Sequence, residues 1–429
     1  MPITHRIPGL VLTDHELVVP LDYARPGGPQ ISVFAREVVA VGKEHADLPW
    51  LVFFQGGPGG KSPRPASRSG WIARATEEYR ILLLDQRGTG RSTPITRQTL
   101  AQFGSPQQQA AYLMHFRADS IVQDAERFRI ALLGEAQPWS ALGQSYGGFC
   151  LLTYLSFAPQ GLREVFFTGG LAALDRTADE IYRMTYRRVR EQNRRYFERY
   201  PADQERAQAI VAHLHAHAVR LPDGDRLTPQ RFQYLGMALG ASDGFEQIHY
   251  LLDEAFVQGA DGLQCSDTFL YGLLEALTFA TSPLFAVLHE SIYCQGMGAH
   301  WAAERIRAEY PEFDAAPGMP FAFTGEMIYP WMFAEDTTLH PFREAAKLLA
   351  QHDDWPALYD IPQLQANRVP CAAAVYADDM YVELAFSEET GRTLRGCRMW
   401  ITNEYQHNGL RADGEHVLGR LIAMVRGEV

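Results

Sequence analysis

The stretch SALGQSYGGFC, Ser140 to Cys150, sets a serine between glycines with an apolar run on either side. Gly-x-Ser-x-Gly can be an ordinary turn, since both residue types favour turns and this chain holds 36 glycines. It can also be a sharp strand-to-helix turn that stands a serine oxygen clear of the backbone, where larger flanking side chains would clash. The flanking segments separate the two readings. Residues 138–145, PWSALGQS, read as a buried strand, and residues 146–158, YGGFCLLTYLSFA, read as a helix halted by Pro159. A serine that ends a buried strand and opens a helix has the setting of a nucleophile elbow.

Outward from Ser145 the same rhythm continues. LPWLVFFQ (48–55) and YRILLLDQ (79–86) are short, continuously apolar and run into Gly-rich turns, as strands covered on both faces of a parallel sheet do. DSIVQDAERFRIALLG (119–134) carries apolar residues at helical spacing and stops at Gly134, and REVFFTGG (163–170) is a further strand. Before them, residues 11–40 hold two β-rich runs around Arg25-Pro26-Gly27-Gly28, which predicts an antiparallel hairpin. From about Leu171 to Leu349 long charged helical stretches such as ADEIYRMTYRRVREQNRRYFERY replace the buried strands. The sheet resumes at VPCAAAVYADD (369–379) and CRMWITNE (397–404), and EHVLGRLIAMVR closes the chain as a helix. The expectation is an α/β fold with a mostly parallel central sheet, residues 1–170 and 350–429 forming the core and 171–349 a large inserted helical cap.

Composition narrows the function classes. A chain of 429 residues, 46% apolar and 21% charged, is ordinary globular material. Its net charge of −12, with no basic cluster, argues against nucleic acid and anionic membranes as partners and favours a small cationic ligand. Five cysteines, widely spaced and without a Cys-x-x-Cys pair, indicate neither a disulfide framework nor a zinc site. No basic start precedes an apolar stretch and no 18-residue apolar run occurs, so the expected location is cytoplasmic, without membrane association.

A serine hydroxyl is a poor nucleophile at neutral pH and needs a base within reach and a third group to orient that base. Two later strands end in suitable residues: AVYADDMYV places Asp378 and Asp379, and WITNEYQHNG places His407. Of the two acids Asp379 is favoured, because the acid loop of folds with such an elbow commonly has a hydrophobic residue three positions on, here Val382; Asp378 stays open. His213, His215 and His217 share a helical stretch, but without a His-Glu-x-x-His pattern or a third ligand they read as a solvated face, not a metal site. His289 reads as packing. The oxyanion of acyl transfer needs two backbone N–H donors. Tyr146 supplies one, and Gly56 or Gly57 in FFQGGPGGKSP the other. That loop fails as a phosphate cradle: the glycine a P-loop needs five residues before Gly60 is Gln55, and Pro63 disturbs a following helix.

GGPGG after a strand, LLLDQRGTGRS (82–92), GQSYGG around Ser145, YADDMYV and YQHNG together resemble the proline iminopeptidases, specifically the longer, large-cap type within the α/β-hydrolase superfamily. The resemblance runs through nearly the whole chain. It implies Ser145, Asp379 and His407 as triad, Gly57 and Tyr146 as oxyanion donors, no metal or organic cofactor, and short peptides with an N-terminal proline as substrates. One departure is Gln55, where members often have histidine. Asp85 and Arg87 are expected to form a buried structural pair behind the oxyanion loop. An aminopeptidase must pair the substrate's buried cationic amine with carboxylates. In the family these come from the cap, which nominates Glu290 in LHESIYCQG and Glu326 in FTGEMIYPWMF, with Glu275 weaker; Tyr293 and Trp331 are nominated as walls for a pyrrolidine ring. The rival expectations are another hydrolase, such as an esterase or an aminopeptidase of different specificity, and a non-catalytic binding protein on the same fold.

Overall fold

Strands that are apolar on both faces need helices on both faces, and the chain supplies them. The computed structural model describes residues 3–260, 262–316 and 318–429. Its main sheet has nine strands in the order β1-β2-β3-β5-β4-β6-β7-β10-β11. The first three, β1 (Thr4–Ile7), β2 (Leu10–Pro20) and β3 (Gln30–Ala40), are antiparallel, and β2 and β3 pair from Leu10↔Ala40 to Pro20↔Gln30 as the expected hairpin. β3 runs antiparallel to β5 (Arg80–Leu84). From β5 through β4 (Trp50–Phe54), β6 (Trp139–Gln144), β7 (Leu162–Thr168) and β10 (Cys371–Tyr376) to β11 (Cys397–Thr402) every pairing is parallel.

The two faces are built from alternate residues of the same strands. Leu51 and Phe53 of β4 and Ile81 and Leu83 of β5 pack with Trp71, Val417, Leu418 and Leu421, under helices 70–75 and 414–426. Val52, Phe54, Leu82 and Leu84 point the other way, to Ile121, Ala125, Phe128 and Leu151 of helices 118–133 and 146–157. The chain leaves β4 toward β5 on one side and later returns to β6 on the other. Their carboxyl ends therefore open at a switch point of the sheet, where open α/β sheets place their ligands.

Between β7 and β10 the chain is helical, beginning with the 178–199 helix, whose Thr177 and Glu180 form a capping box. The segment also contains a small antiparallel hairpin, β8 (Phe256–Gly259) with β9 (Gly262–Cys265), whose side chains are largely exposed. The sequence offers no buried-strand signal there because that hairpin buries almost nothing. No helix among the described residues is long and apolar enough to cross a membrane.

Candidate active site

Ser145 stands at the junction of β6 and the 146–157 helix with φ 55° and ψ −125°, a left-handed setting that a non-glycine residue adopts only when its surroundings enforce it. The glycines around it explain how. A Cβ on Gly143 would lie 2.5 Å from the Gly147 carbonyl oxygen, while one on Gly147 would collide with the Phe54 carbonyl and one on Gly148 with Gly170. The Ser145 N–H donates to the Thr168 carbonyl at 3.0 Å, pinning the turn to the end of β7. Tyr146 opens the helix, where the first N–H groups have no intrahelical acceptor.

The Gly-rich loop after β4 passes directly over the serine. A Cβ on Gly56 would sit 3.0 Å from the Ser145 Cβ and 3.6 Å from its Oγ, and Gly57 has φ 134°. The loop is held from behind by the next turn: Gln86 Nε2 donates to the Gln55 carbonyl at 3.0 Å and the Ser62 N–H to Asp85 Oδ1 at 3.1 Å. Gln55 thus contributes its main chain to this support. Asp85 and Arg87 are both buried but do not pair with each other. Asp85 takes Arg64 Nη1 at 2.9 Å and the Arg91 N–H at 2.9 Å, and Arg87 clasps Asp124 with Nε–Oδ2 at 2.7 Å. Residues two apart at a tight turn point apart, so each carries its own partner.

His407 Nδ1 meets Asp379 Oδ2 at 2.6 Å. The second Asp379 oxygen accepts the N–H groups of Tyr381 (2.8 Å) and Val382 (3.0 Å), so the turn itself aims the carboxylate. Asp378 points elsewhere, to Arg195 Nη1 at 2.9 Å. Burial opposes a charged imidazole, but the Asp379 charge and hydrogen bond outweigh it and raise the His407 pKa. Two glycines at the end of β7 let His407 and the Ser145 turn approach the same strand end: a Cβ on Gly169 would lie 3.1 Å from His407 Nδ1, and one on Gly170 2.7 Å from the Ser145 carbonyl. The helical segment grips the histidine loop. The His407 N–H donates to the Gly240 carbonyl at 3.1 Å, the Ser242 hydroxyl to Asn408 Oδ1 at 2.8 Å, and Tyr381 crosses the imidazole edge-on with ring centroids 4.7 Å apart.

Among the nominated carboxylates the structure brings Glu326 to this centre and gives Glu290 other contacts. Glu326 is half-buried, and burial raises its pKa to about 8, while the charges of His407 and Asp379 act on it in opposite directions. Among the described residues no side-chain hydrogen bond reaches it, and it is not fully closed off from a water-sized molecule. Glu290 instead accepts the N–H groups of Ala303 (2.8 Å) and Ala302 (3.2 Å), capping the 302–307 helix, and burial lifts its pKa to about 7. Glu275 is exposed. Tyr293 packs on Phe149 and edge-on to Tyr182, within the field of Glu326. Trp331 stacks on Tyr329 and lines a pocket with Tyr234, Leu277 and Phe279 and with the charged Arg231 and Asp336; Tyr234 lies within the field of Glu326. The histidines at 213–217 diverge: His213 stacks on His217, while His215 reaches the Ala315 carbonyl.

The α/β hydrolase fold family model matches residues 49–278. A protein from Aeromonas sobria named proline iminopeptidase is 52% identical over 426 residues, 99% of each chain. The chain belongs to the proline iminopeptidase family. The proline iminopeptidase aneH of Aspergillus aculeatus is 34% identical over 98% of this chain and 95% of its own. Membership agrees with the parallel sheet and the elbow. The residues sequence reading missed are those whose position depends on long-range closure. Gly169, Gly170, Tyr381 and the Gly240–Ser242 segment carry no chemical motif, although the Gly-Gly pair directly after β7 is a signal of close backbone approach.

Proposed function

We propose that this protein is a serine exopeptidase that releases N-terminal proline from short peptides. The observation that carries the reading is the unsatisfied Glu326 carboxylate, half-buried beside the His407–Asp379 pair. A buried carboxylate without a partner costs several kcal/mol, which a bound cation offsets. A peptide's protonated N-terminus is such a cation, and it lies one atom from the carbonyl that an aminopeptidase cleaves. A carboxylate in that place suits a free amine and has no use for a neutral ester.

Ser145 Oγ attacks the carbonyl of the first residue while His407 takes the hydroxyl proton and Asp379 steadies the imidazolium. The N–H groups of Tyr146 and Gly57 receive the oxyanion. His407 then returns its proton to the leaving nitrogen, the C–N bond breaks, and water cleaves the prolyl ester by the same route to free proline. Residues 171–349 act as the cap: they supply Glu326, hold the histidine loop and close the space behind the amine. Tyr293 and Tyr182 form the nearer wall of the ring site, and Trp331 belongs to the layer behind Tyr234.

The test is release of a chromophore from a prolyl anilide, beside the alanyl, leucyl and N-acetylprolyl analogues and a Ser145→Ala control. Strong preference for free proline, abolished in the control, is the expected result. Turnover of the acetylated compound, or of none of the four, overturns the reading.

A further inference from the structure

We propose that the imidazole of His289, which neighbours the Glu326 main chain, is a second hydrogen-bond acceptor for the substrate's protonated N-terminal nitrogen. The inference rests on the amine-directed reading above. His289 is only 1% exposed, yet among the described residues neither ring nitrogen has a hydrogen-bond partner. Leaving a buried polar group unpaired costs about 1–3 kcal/mol, so a ring that only filled space would be better replaced by phenylalanine.

Its neighbours define where the missing partner arrives. His289 follows the 283–288 helix, whose Leu284 and Phe285 press so closely on Gly59 that a Cβ there would lie 2.7 Å and 2.8 Å from them. The Ser282 hydroxyl donates to the Gly59 carbonyl at 2.8 Å, locking that helix to the loop whose Gly56 covers Ser145. The imidazole lies between Phe285 (centroids 4.9 Å apart) and Tyr293 (6.3 Å). The main chain of Glu326 is near enough to favour a proton on the ring, although no hydrogen-bond geometry is reached. One ring nitrogen can therefore keep its proton toward that carbonyl while the other accepts.

The charge balance fits the same arrangement. Burial pushes the His289 pKa down to about 4, so the ring is neutral at working pH and accepts from a cation without repelling it. A protonated prolyl nitrogen carries two N–H bonds; Glu326 takes one and His289 the other. Glu290 does not fill that place, because its oxygens already hold Ala302 and Ala303.

The experiment compares prolyl and N-methylprolyl anilides, the latter protonated but with a single N–H, on wild type, His289→Phe, His289→Gln and Glu290→Gln. In wild type and Glu290→Gln the prolyl compound is expected to lead in kcat/KM. In His289→Phe its kcat/KM falls roughly 10- to 100-fold and its lead over the N-methyl compound shrinks by at least about 10-fold, an effect of the size of one hydrogen bond to a charged group. His289→Gln, which keeps an acceptor, recovers part of that lead. Labelling of Ser145 by a fluorophosphonate reports that each variant is folded; if His289→Phe is not labelled, the glutamine variant and an alanine variant carry the comparison. A lead unchanged in every labelled His289 variant, or lost in Glu290→Gln instead, overturns the inference. Failure of the wild type to release proline at all is the separate failure of the function itself.

Discussion

At single residues, the chemistry of this protein is a matter of where two carboxylates find their partners. Asp379 has three donors, one of them His407, and Asp378 has Arg195 at the surface of the same turn. Asp379→Asn is expected to lower kcat by about 10³- to 10⁴-fold by leaving the imidazole in the wrong tautomer, and Asp378→Asn to change it little. Steady-state kinetics on the two variants separates the roles, and equal losses would contradict the assignment. On the proposed reading of the site, Glu326 sets the pH response. It pairs an amine only when ionised, so binding weakens as pH falls below about 8. His407 must be unprotonated to act as base, and its raised pKa moves the same limb in the same direction. The profile of kcat/KM therefore climbs through neutrality and falls once the substrate amine loses its proton, ordinarily at about 8. In Glu326→Gln, KM for prolyl anilide rises at least about 10-fold, the loss of one charged pair. The acid limb also moves to lower pH, because the charge that helps raise His407 is gone. An unmoved limb would separate Glu326 from the histidine.

At the level of elements, the elbow depends on three layers of backbone touching without side chains between them. β4, the 146–157 helix and the end of β7 meet at Phe54, Gly147, Gly148 and Gly170. Gly147→Ala forces a methyl group into the Phe54 carbonyl, and overpacking of this kind typically costs about 1–3 kcal/mol. A fall in the urea midpoint together with a fall in kcat is expected, since the strand that must move also leads into the Gly-rich loop over Ser145. A loss of stability with kcat untouched would place the strain elsewhere. The histidine loop is a different kind of element: it is held by hydrogen bonds to Gly240 and Ser242 and by the contact of His407 with Tyr381.

Across the whole molecule, buried charges join segments far apart in the chain. Arg87 donates to Asp124 and to the carbonyls of Leu21 and His115, linking the turn after β5, the hairpin and the 118–133 helix. Asp124→Asn leaves that guanidinium buried without its counter-charge, and the expected loss is about 3–5 kcal/mol, read as a large drop in Tm. A small change would mean that water reaches Arg87. Arg117 plays a related part between core and helical segment, donating to the carbonyls of Ser291 and Cys294 at 2.8 Å each, close to His289 and Glu290 in the chain.

Local pattern alone carries the alternation of buried strands and helices, the serine at its glycine-flanked turn, and the order acid then histidine after the last strands. Each of these comes from short-range rules: apolar runs must be covered, a positive φ needs small neighbours, and a strand end exposes the residues just beyond it. The same local ground favours Asp379 over Asp378, and the Val382 N–H that fixes its carboxylate is the physical content of that spacing. Local pattern does not reach the pairing of charges or the filling of the pocket. Asp85 and Arg87 are two residues apart yet bond to Arg64 and Asp124, and Glu290 and Glu326 look alike in sequence yet one caps a helix and the other stands unpaired. A charge's partner is chosen by which surfaces meet after the chain has closed on itself: 21 residues separate Asp85 from Arg64 and 37 separate Arg87 from Asp124, and no short window contains such contacts.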